Sequence, residues 1–181
     1  QKVTDIYATS IDYRKNIKET ELFFKTVQNK MHYAVSGKTA AELIAERANS
    51  KEPTMGLTNF SGLHMIQRDI YIAKNYLNEK ELEMLNRIVD AYLSFAEIQA
   101  KSEKAMTMRD WIGKLDEYLA FLGKGILKNA GRVSAEEAER RASQEYELYK
   151  KDYDNKYLSD FDREVKKIEA EANRSLKHPK I

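Results

Sequence analysis

The stretch SAEEAERRASQEYELYKKDYDNKYLSDFDREVKKIEAEA, from Ser134 to Ala172, decides the fold class. It holds no proline or glycine. Its apolar and aromatic residues recur at Ala138, Ala142, Tyr146, Tyr149, Tyr153, Tyr157, Phe161, Val165, Ile168 and Ala172. Every step is three or four residues, the spacing that lines one face of an α-helix. Ser134, with Glu137 three residues on, reads as its N-terminal cap. A helix of roughly 40 residues is roughly 60 Å long at about 1.5 Å per residue. That exceeds the width of the domain left over, so part of it is expected to project or to pack against another copy. Charges agree: Glu136 and Arg140, Glu137 and Arg141, Glu147 and Lys151, Asp152 and Lys156, and Asp162 and Lys166 are each four apart with the acid first. That order is the better one for helix pairs, although each pair contributes only about 0.2–0.5 kcal/mol.

Working back along the chain, the same period recurs in shorter pieces. A helix is predicted over about Ile17–Val35, with Phe24, Val27, Met31 and Ala34 as its buried stripe and Gly37 as its stop. Thr39 and Glu42 form a capping box for a short helix carrying Leu43, Ile44 and Ala48. Ser50–Gly62, with Pro53, Gly56 and Gly62, reads as a loop whose Met55, Leu57 and Phe60 pack down on the core. Asp69–Leu77 reads as another short helix. Asn78, with Glu81, caps a strongly amphipathic one carrying Leu82, Leu85, Ile88, Val89, Tyr92, Leu93 and Ala96. Thr107 and Asp110 begin a helix with Trp111, Leu115, Tyr118, Leu119 and Leu122 on its face. Gly123, Gly125 and Gly131 then loosen the chain. Asp5–Tyr13 reads as irregular or as a short helix end.

Composition supports an all-α fold, a multi-helix bundle with a long C-terminal helix. The 181 residues include 2 prolines and 7 glycines, with 42% hydrophobic and 33% charged residues. Two units are expected: a helical core domain over 1–131 and the long helix over 132–181. There is no cysteine, which excludes disulfides and thiolate metal sites and fits a reducing, cytoplasmic setting. No apolar run approaches the length of a membrane span, and no signal peptide is visible. The chain opens on Gln1 within what reads as ordered sequence, so it is expected to be a fragment lacking an N-terminal part. With 31 basic and 29 acidic residues, the charge balance gives no electrostatic case for nucleic-acid binding by the whole surface.

Four motifs invite a chemical reading. Gly37-Lys38-Thr39 resembles the end of a phosphate-binding P-loop, but the required earlier glycine is replaced by His32 and the lead-in is helical, so a helix stop followed by a cap is the better reading. His32, His64 and His178 have no partners at metal-ligand spacing, and no metal or other cofactor is expected. His32 could serve as a general base, but a partly buried histidine bonded to backbone is the simpler reading. Asp152, Asp154, Asp160, Asp162 and Glu164 lack the glycine and closing glutamate of a calcium loop and fit a solvated helix face. The tyrosine stripe could stack nucleobases. Residues 132–181, however, hold 12 basic and 12 acidic side chains, so Tyr146, Tyr149, Tyr153, Tyr157 and Phe161 fit a helix–helix, self-association surface better.

Several segments in series carry a resemblance: DIYATSIDY at Asp5–Tyr13, FFKTVQNKMHYAV at Phe23–Val35, TAAELIAERA at Thr39–Ala48, PTMGLTNF at Pro53–Phe60 and AKNYLNEKEL at Ala73–Leu82. Together they resemble the bacterial RhuM family, named for a virulence-associated protein, over roughly residues 3–150. The resemblance implies that this region follows an N-terminal module resembling a DNA-binding helix-turn-helix, so any contact with DNA would come through that missing module. It implies no enzymatic activity. A Fic signature is also lacking, since His178-Pro179 is followed by Lys180. The family-like polar residues are Gln28, Asn29, His32, Thr39, Glu42, Glu46, Arg47, Lys74, Asn75 and Tyr76.

The leading expectation is therefore a regulatory or interaction domain that forms a homo-oligomer, with no membrane contact. The alternative is a nuclease-like or toxin-like enzyme with a polar site around Gln28, Asn29, His32, Glu42, Arg47 and Asn75. Direct nucleic-acid binding by this segment is a third reading.

Overall fold

A computed structural model describes residues 10–14, 18–60, 62, 64–102 and 105–177, apart from the side chains of residues 100, 154–163, 166 and 169–177. Residues 5–9, Ile17 and His178 lie outside it. Among the described residues there are five α-helices and no strand: α1 (Lys18–Ser36), α2 (Ala40–Arg47), α3 (Glu79–Lys101), α4 (Met108–Phe121) and α5 (Ala135–Lys177). The fold is all-α, as the periodicity requires.

The core forms two apolar clusters. In the first, α1 brings Phe23, Val27, Met31 and Ala34 against Leu85, Ile88, Tyr92 and Ala96 of α3 and Trp111, Leu115 and Leu119 of α4. Phe23 heads the α1 stripe in place of the predicted Phe24. The two rings meet edge to face at 5.3 Å, with Phe24 only partly buried. The Tyr92 hydroxyl lies in this cluster and donates to the Trp111 carbonyl at 2.9 Å, which satisfies an otherwise isolated buried polar group. The second cluster joins Ile44 and Ala48 of α2, Met55, Leu57, Ile70, Ala73 and Tyr76 of the connecting segment, and Ala138 and Ala142 of α5. Neighbouring residues of α2 divide between the two: Leu43 enters the first cluster and Ile44 the second. This short helix is the plate on which both halves of the core are laid.

Capping fixes where the helices begin. Thr39 and Glu42 form a reciprocal capping box at α2, and Thr107 and Asp110 form one at α4. At α3 the Glu81 amide donates to Asn78 Oδ1 at 3.0 Å and the Asn78 amide donates to Glu81 Oε2 at 2.9 Å. The Glu137 amide donates to Ser134 Oγ at 3.1 Å at the start of α5.

Two segments depart from the reading by period. The short helix predicted over Asp69–Leu77 is instead a pair of 3-10 turns, Gln67–Tyr71 and Ala73–Tyr76, broken at Ile72. Side chains compete there for the backbone. Asp69 Oδ2 accepts from the Ile66 amide, and Asn75 Nδ2 donates at 2.9 Å to the Asp69 carbonyl, which a continuing α-helix would need. The loop after α2 does pack down, with Met55 fully buried, and it holds a 3-10 turn at Pro53–Gly56. Thr54, Met55 and Gly56 are all left-handed, at φ 51°, 58° and 78°. That conformation is costly for the two residues bearing a Cβ.

Helix α5 spans 43 residues, roughly 65 Å at the usual rise. Its packing partners are α2 and two of the 3-10 turns. Ala138 and Ala142 are buried, and Tyr146 and Tyr149 are partly covered by the second cluster. Beyond these, Tyr153 is 55% exposed and Ile168 65% exposed. The side chains of Tyr157 and Phe161 fall outside the described residues. Of the five predicted acid-first pairs, Glu137–Arg141 is closed. No helix among the described residues is long and apolar enough to cross a membrane.

Candidate functional site

The N-terminus of α2 gathers three of the polar residues singled out by sequence. Gly37 ends α1 at φ 72° and the chain turns immediately into Thr39, which is buried. Three of the amides at the start of α2 are then taken by side chains. The Thr39 amide donates to Glu42 Oε2 at 2.8 Å, the Ala40 amide to Asn29 Oδ1 at 3.0 Å, and the Glu42 amide to Thr39 Oγ1. Glu42 also accepts through Oε1 from the Arg132 amide at 2.8 Å, which anchors the segment before α5. Gly37-Lys38-Thr39 is thus a helix stop followed by a cap, and a carboxylate of the chain occupies the place a phosphate would need. Gln28 is exposed one turn away. Its backbone carbonyl accepts from His32 Nδ1 at 2.7 Å, so that nitrogen carries the proton. His32 Nε2 is buried without a partner among the described residues. Burial pushes the His32 pKa down, only partly offset by the Gln28 contact, so the ring is neutral at pH 7.

Arg47 and Asn75 are engaged elsewhere. Arg47 grips Glu81 with two hydrogen bonds at 2.6 and 2.7 Å and also donates to the Tyr76 carbonyl at 2.7 Å. The pair ties α2 to the start of α3. The Arg47 guanidinium, whose hydrogen bond is the largest influence, holds the Glu81 carboxyl below the usual range. Asn75 is buried and braces the turn before it, while its carbonyl accepts from the Thr58 amide at 2.7 Å. No hydrogen bond or ion pair among the described residues joins His32, Glu42, Arg47 and Asn75 to one another. No group of three or more histidine, aspartate or glutamate side chains among the described residues is placed to hold a metal ion.

These contacts carry a pH dependence. The Glu81 carboxyl is held low as described above. At Glu42, partial burial pushes the pKa up, but the Thr39 and Arg132 amides outweigh it and hold the carboxyl low. At Glu145 the Ser50 contacts hold it low. Depressed carboxyls stabilise the fold fully above their unfolded pKa of about 4.3 and lose that contribution as pH falls through the folded values. His32 has the opposite charge type with the same outcome. Its folded pKa lies below the unfolded value of about 6.5, so the unfolded chain takes up a proton first as pH falls. Denaturant midpoints are therefore expected to decline in two steps, below about pH 6.5 and again below about pH 4.3, with His32→Gln removing only the first. A midpoint that stays flat from pH 7 to pH 5 would contradict the role given to His32.

Several concavities flank this scaffold, among them one of about 600 Å³ lined by Gln28, Asn29 and Thr39. A larger one, of about 770 Å³, lies between the α1–α2 junction, residues 126–133 and α5, and its charged lining includes Lys38, Lys128, Arg132 and Arg141. Sequence reasoning did not single out these cations. The signal was present, since residues 122–134 carry Lys124, Lys128 and Arg132 and no acid. A smaller groove of about 350 Å³ beside α5 is walled by Phe60, Met65, Tyr146, Tyr149 and Tyr153. There the Tyr149 and Tyr153 rings stack at 6.4 Å.

No curated protein and no solved structure matches this chain. The segments quoted for the family resemblance lie within one continuous match. Residues 1–157 match the family model described as the Virulence protein RhuM family, and the chain belongs to that virulence-related family.

Proposed function

We propose that this chain is an assembly domain that self-associates through α5, beside the DNA-binding module that the family resemblance implies. The observation that carries the reading is the exposure of Tyr153 and Ile168 on a helix that continues well past its packing onto α2. Large apolar side chains repeated along one face of an exposed helix are stabilised by a second such face. The balanced charge of residues 132–181 leaves no net repulsion between copies. On this reading the domain sets the oligomeric state while the companion module contacts DNA, in the reducing cytoplasm that a cysteine-free chain fits.

Sedimentation velocity of the full chain is the test. Association should be visible at tens of micromolar, and Tyr153→Glu with Ile168→Glu should weaken it by about tenfold or more, because each places a charge in an apolar contact. At concentrations too low for the wild type to associate, the melting temperature should match wild type, since both side chains are exposed in a single copy. A single species of 21.0 kDa at every concentration would refute the proposal.

A further inference from the structure

The larger concavity has a charge excess that the assembly reading does not use. Its lining holds Lys38, Lys128, Arg132 and Arg141 against Glu42 and Glu46. Glu42 is spent on the Thr39 and Arg132 amides. Glu46 is paired with Lys38, and Arg141 with Glu137 of its own helix. Among the described residues, Lys128 and Arg132 close no ion pair. The whole chain has a net charge of +2, so two unpaired cations in one concavity are a local concentration on an otherwise balanced surface.

The backbone carrying these cations is held in place. The buried Lys30 ammonium uses its three donors on both oxygens of Asp116, at 2.8 and 3.0 Å, and on the Leu127 carbonyl at 2.9 Å. One residue further on, Lys128 leaves this anchor. Arg132 is held through its own amide by Glu42. Gly131, at φ 87°, lies so close to Thr39 that a Cβ would come within 2.7 Å of its side chain, and Gly125 lies against the Tyr33 ring. The segment thus carries Lys128 and Arg132 on anchored backbone at the hollow, with Tyr33 and Ile126 supplying an apolar wall.

We propose that this groove binds a small polyphosphate: the diphosphate of a nucleotide or a free polyphosphate. Multiple cations on one concave surface recognise a ligand with several adjacent negative charges. A volume of about 770 Å³ lies in the range of small-molecule sites. Recognition runs mainly through side chains, because the Thr39, Ala40 and Glu42 amides are already taken by Glu42, Asn29 and Thr39. A nucleic-acid backbone fits less well, since it requires an extended basic track and the remaining surface is balanced.

Isothermal titration of the full chain with pyrophosphate, ADP and a single-stranded oligonucleotide tests the site. Pyrophosphate and ADP should bind, more weakly as salt is raised. The double variant Lys128→Ala, Arg132→Ala should lose about tenfold or more in affinity for both. Its thermal melting should stay at the wild-type value, because both side chains are exposed and the residue 132 amide is retained. Tyr33→Leu distinguishes the sources. A loss confined to ADP identifies the nucleotide, whereas equal wild-type affinities for the two probes, both insensitive to Tyr33→Leu, identify free polyphosphate. The proposal is overturned if neither probe binds at millimolar concentration, if the double variant binds as wild type does, or if the oligonucleotide binds and pyrophosphate does not compete.

Discussion

Gly56→Ala is expected to destabilise the domain by roughly 2 to 5 kcal/mol, combining a left-handed residue that gains a Cβ with overpacking against backbone. At φ 78° the added Cβ would lie 2.4 Å from the Arg47 carbonyl oxygen. That oxygen belongs to the end of α2, so no side-chain rotation relieves the contact. Backbone must move, and the movement would pull on Met55, which is fully buried, and on the Asn49 amide, which donates to the Met55 carbonyl at 3.2 Å. Thr54 and Met55 are left-handed already, so the turn has little conformational reserve to absorb a third strained residue. For a domain of this size, about 2–4 °C is lost per kcal/mol. The midpoint should accordingly fall by at least about 4 °C in a thermal melt followed by circular dichroism. A midpoint within about one degree of wild type would mean that the loop is not packed against α2 as described.

Arg47→Ala should cost about 3 kcal/mol, the low end for breaking a buried pair, because both side chains retain some solvent contact. The exposures are 27% for Arg47 and 15% for Glu81. The loss has three parts. Glu81 is left as a largely buried carboxylate without its cation, the Tyr76 carbonyl loses a donor at 2.7 Å, and the guanidinium no longer covers the joint between α2 and α3. Glu81→Gln keeps the shape and the Asn78 cap and should cost less than Arg47→Ala. In a double-mutant cycle of Arg47→Ala with Glu81→Ala, the coupling should reach about 1 kcal/mol or more. Urea denaturation supplies all the terms. Additive single-variant costs would remove this pair from the account of how the domain holds together.

The helices were readable from sequence where period, cap and stop agreed. Thr39 with Glu42, Asn78 with Glu81, and Thr107 with Asp110 each combined a capping pair with an apolar stripe, and each starts a helix where expected. Residues 67–76 misled because their apolar spacing suits a helix while Asp69 and Asn75 take backbone groups for local bonds. Periodicity does not register that competition. In the α1 stripe Val27, Met31 and Ala34 are buried as expected and only the first member differs, because Phe23 and Phe24 both fit the spacing and only the packed partner selects between them. The polar residues were chosen by type and by family likeness, and their partners lie far off in sequence: Glu81 for Arg47 is 34 residues away, and Arg132 for Glu42 is 90. Such pairings follow from how the helices cross, which a single sequence does not display. The basic segment around Lys128 was passed over because its charge is diluted in a balanced total.

The joining of one copy of the chain to another through α5 is directly measurable, because the chain has no cysteine. Lys151→Cys introduces a single thiol at an exposed position of α5 off the apolar stripe, and a nitroxide attached there can couple only to a nitroxide on another molecule. Pulsed dipolar spectroscopy at tens of micromolar is expected to give a defined distance peak, which disappears on dilution with unlabelled chain. A featureless decay from isolated spins under the same conditions, with the label in place and the fold intact, would contradict the claim.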